Sequence, residues 1–89
     1  MTPQIVLDTL SDLNPDAIFF ENMDNALVSV GRVGAADPVA VYSQAGILGQ
    51  LQQDGFSEKE AHDYFFDKIV GAPFDMNAPV VLQDISIKD

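Results

Sequence analysis

The stretch Ser57-Glu58-Lys59-Glu60 constrains the fold of this chain more than any other, because it is a complete capping box. A serine at the N-cap and a glutamate three residues on satisfy each other's orphan backbone donors, so a helix is predicted to open at Glu58. Immediately upstream, Asp54-Gly55 is a helix stop with glycine at C′, which implies an earlier helix closing there. Ser43 can cap that earlier helix, with Tyr42 at N′ and Ile47 at N4 as a hydrophobic staple and Ile47, Leu48 and Leu51 as its buried stripe. In the second helix Ala61, Tyr64, Phe65 and Ile69 fall on one face and Glu60, Asp63 and Asp67 on the opposite one. Gly71 and Pro73 end it.

Around this helical pair the patterns are shorter. Ile5, Val6, Leu10 and Leu13 recur at helical spacing behind Thr2 as N-cap and Pro3 at N1, and Asn14-Pro15 closes that run. Ala17-Ile18-Phe19-Phe20 suits a buried strand or an extended segment, and residues 21 to 25 read as a turn. From Ala26 to Val33 the residues alternate and are β-branched, with Val28 and Val30 on one side; a helix starting at Asp24 is the rival reading. A loop at Gly34 to Pro38 leads to a strand at Val39 to Tyr42, so the two runs can pair as an antiparallel hairpin. Pro79-Val80-Val81-Leu82 is the last predicted strand, and the tail from Asp84 to Asp89 stays open between order and disorder. The 89 residues, 47% apolar, are enough for one core and one domain, and no repeat is present. The expected fold is α+β: an N-terminal helix, a small mostly antiparallel sheet, and a two-helix insertion before the last strand.

Charge narrows the partners. Fourteen acidic residues face four basic ones, for a net charge of -10. Arg32, Lys59, Lys68 and Lys88 are too few and too scattered to form a phosphate-binding footprint, so direct nucleic-acid binding is not expected, nor is an anionic membrane surface. No apolar run is long enough to span a bilayer. The first residues carry no basic n-region, and there are no cysteines, which together point to a soluble, cytoplasmic chain.

Sites of chemistry are sparse. Gly31-Arg32-Val33-Gly34-Ala35-Ala36 matches part of two nucleotide-binding motifs, but Asp37-Pro38 and a strand follow where a phosphate-cradling helix would have to begin. It reads as a hairpin loop. His62 lies four residues after Glu58, a spacing that places two metal ligands on one helical face, yet the chain has no second histidine and no cysteine to complete a site. None of Ser11, Ser29, Ser43, Ser57 and Ser86 sits in a nucleophile-elbow context. The expectation is a non-enzyme with no metal and no cofactor. Two candidate binding regions remain. Glu60, Asp63 and Asp67 could dock a basic partner, or simply solvate the helix. The loop from Gly71 to Pro79 holds Pro73, Phe74 and Met76, apolar groups that a surface loop does not need for folding.

Several segments in order resemble a known group of sequences: Leu13 to Ala17, Asp24 to Val28, Pro38 to Ser43, Ile47 to Leu51, Asp54 to Ala61, Tyr64 to Asp67, and Gly71 to Pro79. The chain is similar over residues 8 to 83 to a family of small uncharacterised proteins of tailed bacteriophages, cyanophages among them. It departs from that family at Lys68, where asparagine is usual, and at Met76 and Ala78-Pro79, where glycine and Thr-Pro are usual. The family brings no established activity. The resemblance implies a phage accessory protein that binds and modulates a host or phage protein in the infected cell. The alternatives are a minor virion or assembly protein, including a homodimer, and an acidic phosphate-mimicking inhibitor of a nucleic-acid-binding protein.

Overall fold

A computed structural model of the chain describes residues 2–71 and 75–83. Helix α1 (Pro3–Leu13) starts where Thr2 Oγ1 accepts the Ile5 amide at 3.3 Å, with proline in the first turn. Val6 and Leu10, one helical repeat apart, are its buried pair. Ile5 and Leu13, expected on the same stripe, are exposed; Ile5 lies about 100° around the helix from Val6 and so misses the core. Residues 17–20 form neither helix nor strand, so the buried-strand alternative for them does not hold. Two amides tie them down instead. Ile18 N donates to the Asn77 carbonyl at 2.9 Å, and Phe20 N donates to the Tyr42 hydroxyl at 3.0 Å.

The rival readings of residues 24–33 each hold part of the segment. Asp24–Ala26 is a single 3-10 turn, and β1 (Leu27–Gly31) follows directly. β1 pairs antiparallel with β2 (Val39–Ser43), with Leu27 opposite Tyr42 and Ser29 opposite Val41. One extra residue, Val28, therefore bulges out of the ladder. A bulge reverses the inside–outside alternation, so Leu27 is buried, Val28 is exposed and Val30 packs against the core. Val28 and Val30 do not share a side, contrary to the simple alternating pattern.

The helical pair forms as its caps require. In α2 (Gln44–Gln53) Ser43 Oγ accepts the Gly46 amide at 3.0 Å, and both staple residues, Tyr42 and Ile47, are fully buried. The helix closes in a Schellman motif: Phe56 N donates to the Leu51 carbonyl and Gly55 N to that of Gln52. In α3 (Glu58–Tyr64) both halves of the capping box are made, Glu60 N to Ser57 Oγ at 3.2 Å and Ser57 N to Glu60 Oε1 at 3.0 Å.

After Tyr64 the helix widens into a π segment (Phe65–Val70), whose end is sealed by Gly71 N donating to the Phe66 carbonyl at 3.1 Å. A β-carbon on Gly71 would stand 2.8 Å from the Asp67 carbonyl oxygen, so this closure needs glycine. Ala61 and Phe65 are buried and Ile69 packs partly on the core. Tyr64, expected beside them, is 39% exposed. It lies about 60° around the helix from Ala61, on the side away from Phe65, and its ring meets Phe56 edge-on at 5.4 Å.

β3 (Val80–Leu82) then adds to the free side of β2, in parallel. The sheet order is β1-β2-β3, with one antiparallel and one parallel pairing, so the α+β fold carries a mixed sheet. A two-helix crossover returns the chain to the end of the sheet from which β2 began, which makes the parallel pairing the natural one. As the central strand, β2 buries Val39, Ala40 and Tyr42. No helix among the described residues is long and apolar enough to cross a membrane.

Candidate functional site

Apart from the Tyr42 hydroxyl, Asn14 carries the one buried polar side chain among the described residues, and it organises one end of the molecule. It caps the C-terminus of α1, and its amide reaches two other segments. Nδ2 donates to the Pro38 carbonyl at 2.9 Å and to Asn77 Oδ1 at 3.1 Å, while Oδ1 accepts the Asp16 amide at 3.2 Å. One side chain thus fixes the β1–β2 loop and the approach to β3 against each other.

Both segments have their own turn chemistry. Gly34 takes a φ of +58° in the β1–β2 loop, and Ala36 N donates back to the Val33 carbonyl at 3.2 Å. On the other side Asp75 Oδ1 accepts the Asn77 amide at 2.8 Å, and the Asp75 carbonyl accepts that of Ala78 at 3.0 Å. This is an Asx-turn nested in a β-turn, for which aspartate is a favoured first residue.

Between these segments lies an apolar groove of about 250 Å³. Val33, Ala36 and Val39 form one wall and Met76, Pro79 and Val80 the other. Among the described residues, its charged lining residues are Asp37 and Asp75. Val33 is 59% and Met76 69% exposed, large apolar groups left to solvent at the mouth of the groove. A second, polar cleft lies between the 3-10 turn and α2, where Asn25 Nδ2 donates to Gln50 Oε1 and Gln50 Nε2 to Asp54 Oδ1.

The residues singled out in the sequence divide between these places. Met76 lines the groove; Pro73 and Phe74 lie outside the described residues. Glu60, Asp63 and Asp67 are all exposed, but each carboxylate has a local partner. Glu60 closes the capping box, Asp63 meets Lys59 Nζ at 3.5 Å, and Asp67 meets Lys68 Nζ at 3.5 Å. The Ser57 amide and hydroxyl hold the Glu60 carboxyl below the usual glutamate range. Asp67 also stands in the π segment, which turns less per residue than an α-helix and leaves it behind the position that an unbroken helix would give. His62 stacks on the exposed ring of Phe66, with centroids 6.5 Å apart. Among the described residues no three of His, Cys, Asp and Glu gather where they could hold a metal ion.

Asn14, Val33, Asp37 and Asp75 are the site residues that the sequence patterns pass over. The Asp75-x-Asn77 spacing was the available signal, an Asx-turn signature just ahead of a strand. The Tyr42 hydroxyl, fully buried, is likewise structural: burial raises its pKa, against the hydrogen bond from Phe20, and the Asp24 carboxylate raises it further. Compared with protein families, with curated proteins and with solved structures, the chain finds no match.

Proposed function

We propose that this chain is a non-enzymatic binding protein that engages a protein partner through the groove between the β1–β2 loop and the approach to β3. The observation that carries this reading is the make-up of the groove: apolar walls, a volume of about 250 Å³, and, among the described residues, Asp37 and Asp75 as its charged lining residues. Small-molecule and cofactor sites usually run to about 300–1,000 Å³ and converge several placed polar groups on the ligand. A smaller apolar slot suits one or two protein side chains. Among the described residues the lining holds no histidine, serine or lysine, and Asp37 and Asp75 are its ionisable groups.

The family resemblance supplies a setting for this activity, an accessory protein of a tailed phage that acts on a host or phage protein in the infected cell. Phe66 and Val70, each 56% exposed on the π segment, favour a second reading, in which this apolar strip contacts another copy or a virion component. Phosphate mimicry by Glu60, Asp63 and Asp67 has less support, since local partners already engage all three carboxylates.

Site-resolved crosslinking separates these readings. A photo-crosslinking residue replaces Val33, Asp63 or Phe66 in turn, and adducts are identified from infected cells and from purified particles. The groove reading expects one partner protein captured from position 33 alone. Capture from position 63 would transfer the function to the acidic face, and self-adducts or coat adducts from position 66 would establish the assembly role.

A further inference from the structure

Resting on the reading of the groove as a protein-binding site, we infer that its occupant is a basic peptide segment, with one large apolar side chain seated between Val33 and Met76 and an adjacent arginine or lysine held by Asp37 and Asp75. The apolar half of this specificity follows from the lining, which among the described residues offers Val33, Ala36, Val39, Met76, Pro79 and Val80 and no side-chain hydrogen-bond donor. A purely polar occupant would lose its hydration there without compensation.

The basic half follows from charge. Among the described residues, neither Asp37 nor Asp75 has a cationic partner; the ion pairs formed lie on α3 and its π extension, Lys59–Asp63 and Lys68–Asp67. Asp75 spends Oδ1 on the Asn77 amide. Its other oxygen accepts no hydrogen bond from the described residues, and neither does the carboxylate of Asp37. A neutral apolar peptide would desolvate both carboxylates and pair neither, and an acidic one would add repulsion. The net charge of -10 acts in the same direction at longer range, drawing a basic segment in and repelling an acidic one.

A displayed library of random short peptides, selected on the full chain, provides the probe. The best binder is then titrated against wild type, against Asp37→Asn with Asp75→Asn, and against Val33→Ser with Met76→Ser. All four positions are exposed, and asparagine at 75 keeps the Oδ1 acceptor that the turn uses, so the fold should survive in both variants. The selected peptides should share Leu, Met or Phe within a few positions of Arg or Lys. The asparagine pair should weaken binding about tenfold at low salt, and high salt should bring wild type close to that variant. The serine pair should also weaken binding.

Binders that need Val33 and Met76 but hold equally well to the asparagine pair would overturn the basic occupant and leave the groove reading standing. Binders indifferent to both variants, or a library that yields none, would overturn the inference and the groove reading together.

Discussion

Replacing Asn14 by alanine tests the joint on which the groove depends. Its side chain makes three hydrogen bonds: Nδ2 to the Pro38 carbonyl and to Asn77 Oδ1, and Oδ1 from the Asp16 amide. A hydrogen bond in a protein contributes about 0.5–1.5 kcal/mol net, and more when its loss strands a buried partner. Here Pro38 and Asn77 are only half-buried and Asp16 is exposed, so water can reach the abandoned groups. The expected loss is therefore about 2–3 kcal/mol. A domain of this size holds a margin of only about 5–10 kcal/mol, so the change is large. Urea denaturation followed by circular dichroism reads it as a lower midpoint at unchanged slope. Asn14→Asp sharpens the test. It keeps the acceptor for Asp16 N but sets a carboxylate against two oxygens, and it should destabilise at least as much as alanine at neutral pH. An alanine variant whose midpoint matches wild type would refute the claim that this side chain joins the two walls.

The helical pair yields four further predictions. Ser57→Ala removes the N-cap of α3 and should cost about 1 kcal/mol in a thermal melt. Because the Glu60 carboxyl sits below its ordinary range when folded, its stabilisation is present above the unfolded glutamate pKa and is lost as pH falls through the folded value; an acid titration of wild type beside Glu60→Gln should show this difference disappearing at low pH. Phe65→Ala empties a fully buried site and should cost about 3–5 kcal/mol, enough to leave the chain marginal; near-wild-type stability would contradict the packing of the π segment. Gly71→Ala sets a methyl against the Asp67 carbonyl and should cost about 1–3 kcal/mol, with amide exchange accelerated at Gly71 and in the residues before it.

What could be read from the sequence was local, and what escaped was paired at a distance. The capping box at Ser57, the staple of Tyr42 and Ile47 and the stop at Asp54-Gly55 each lie within a few residues of chain, and each forms as its residues dictate. The bulge at Val28 depends on how β1 registers against β2, and no property of Val28 itself announces it. The last strand was legible at Val80 to Leu82, but its direction follows from the return path of two helices and not from its own residues. Widening of the helix after Tyr64 left no pattern either, although Gly71, where it is sealed, was already marked as the stop. Asn14 looked like punctuation before a proline. Its role arises from a hydrogen bond to a residue sixty-three positions away. The candidate site shows the same division, since Met76 stood out as a needless apolar loop residue while Asp37 and Asp75 gain meaning only from lining one groove.

Methyl-resolved NMR tests the central claim most directly. With the methyl groups of Ala, Val, Ile, Leu and Met labelled in the full chain, the protein is titrated with the partner captured by crosslinking, or with the best selected peptide. Binding in the groove predicts shifts concentrated at Val33, Ala36, Val39, Met76 and Val80, with Val70 on the π segment unchanged. Shifts centred on Val70 and Ile69, with the groove methyls silent, would place the binding surface on the helical side of the molecule and contradict the account.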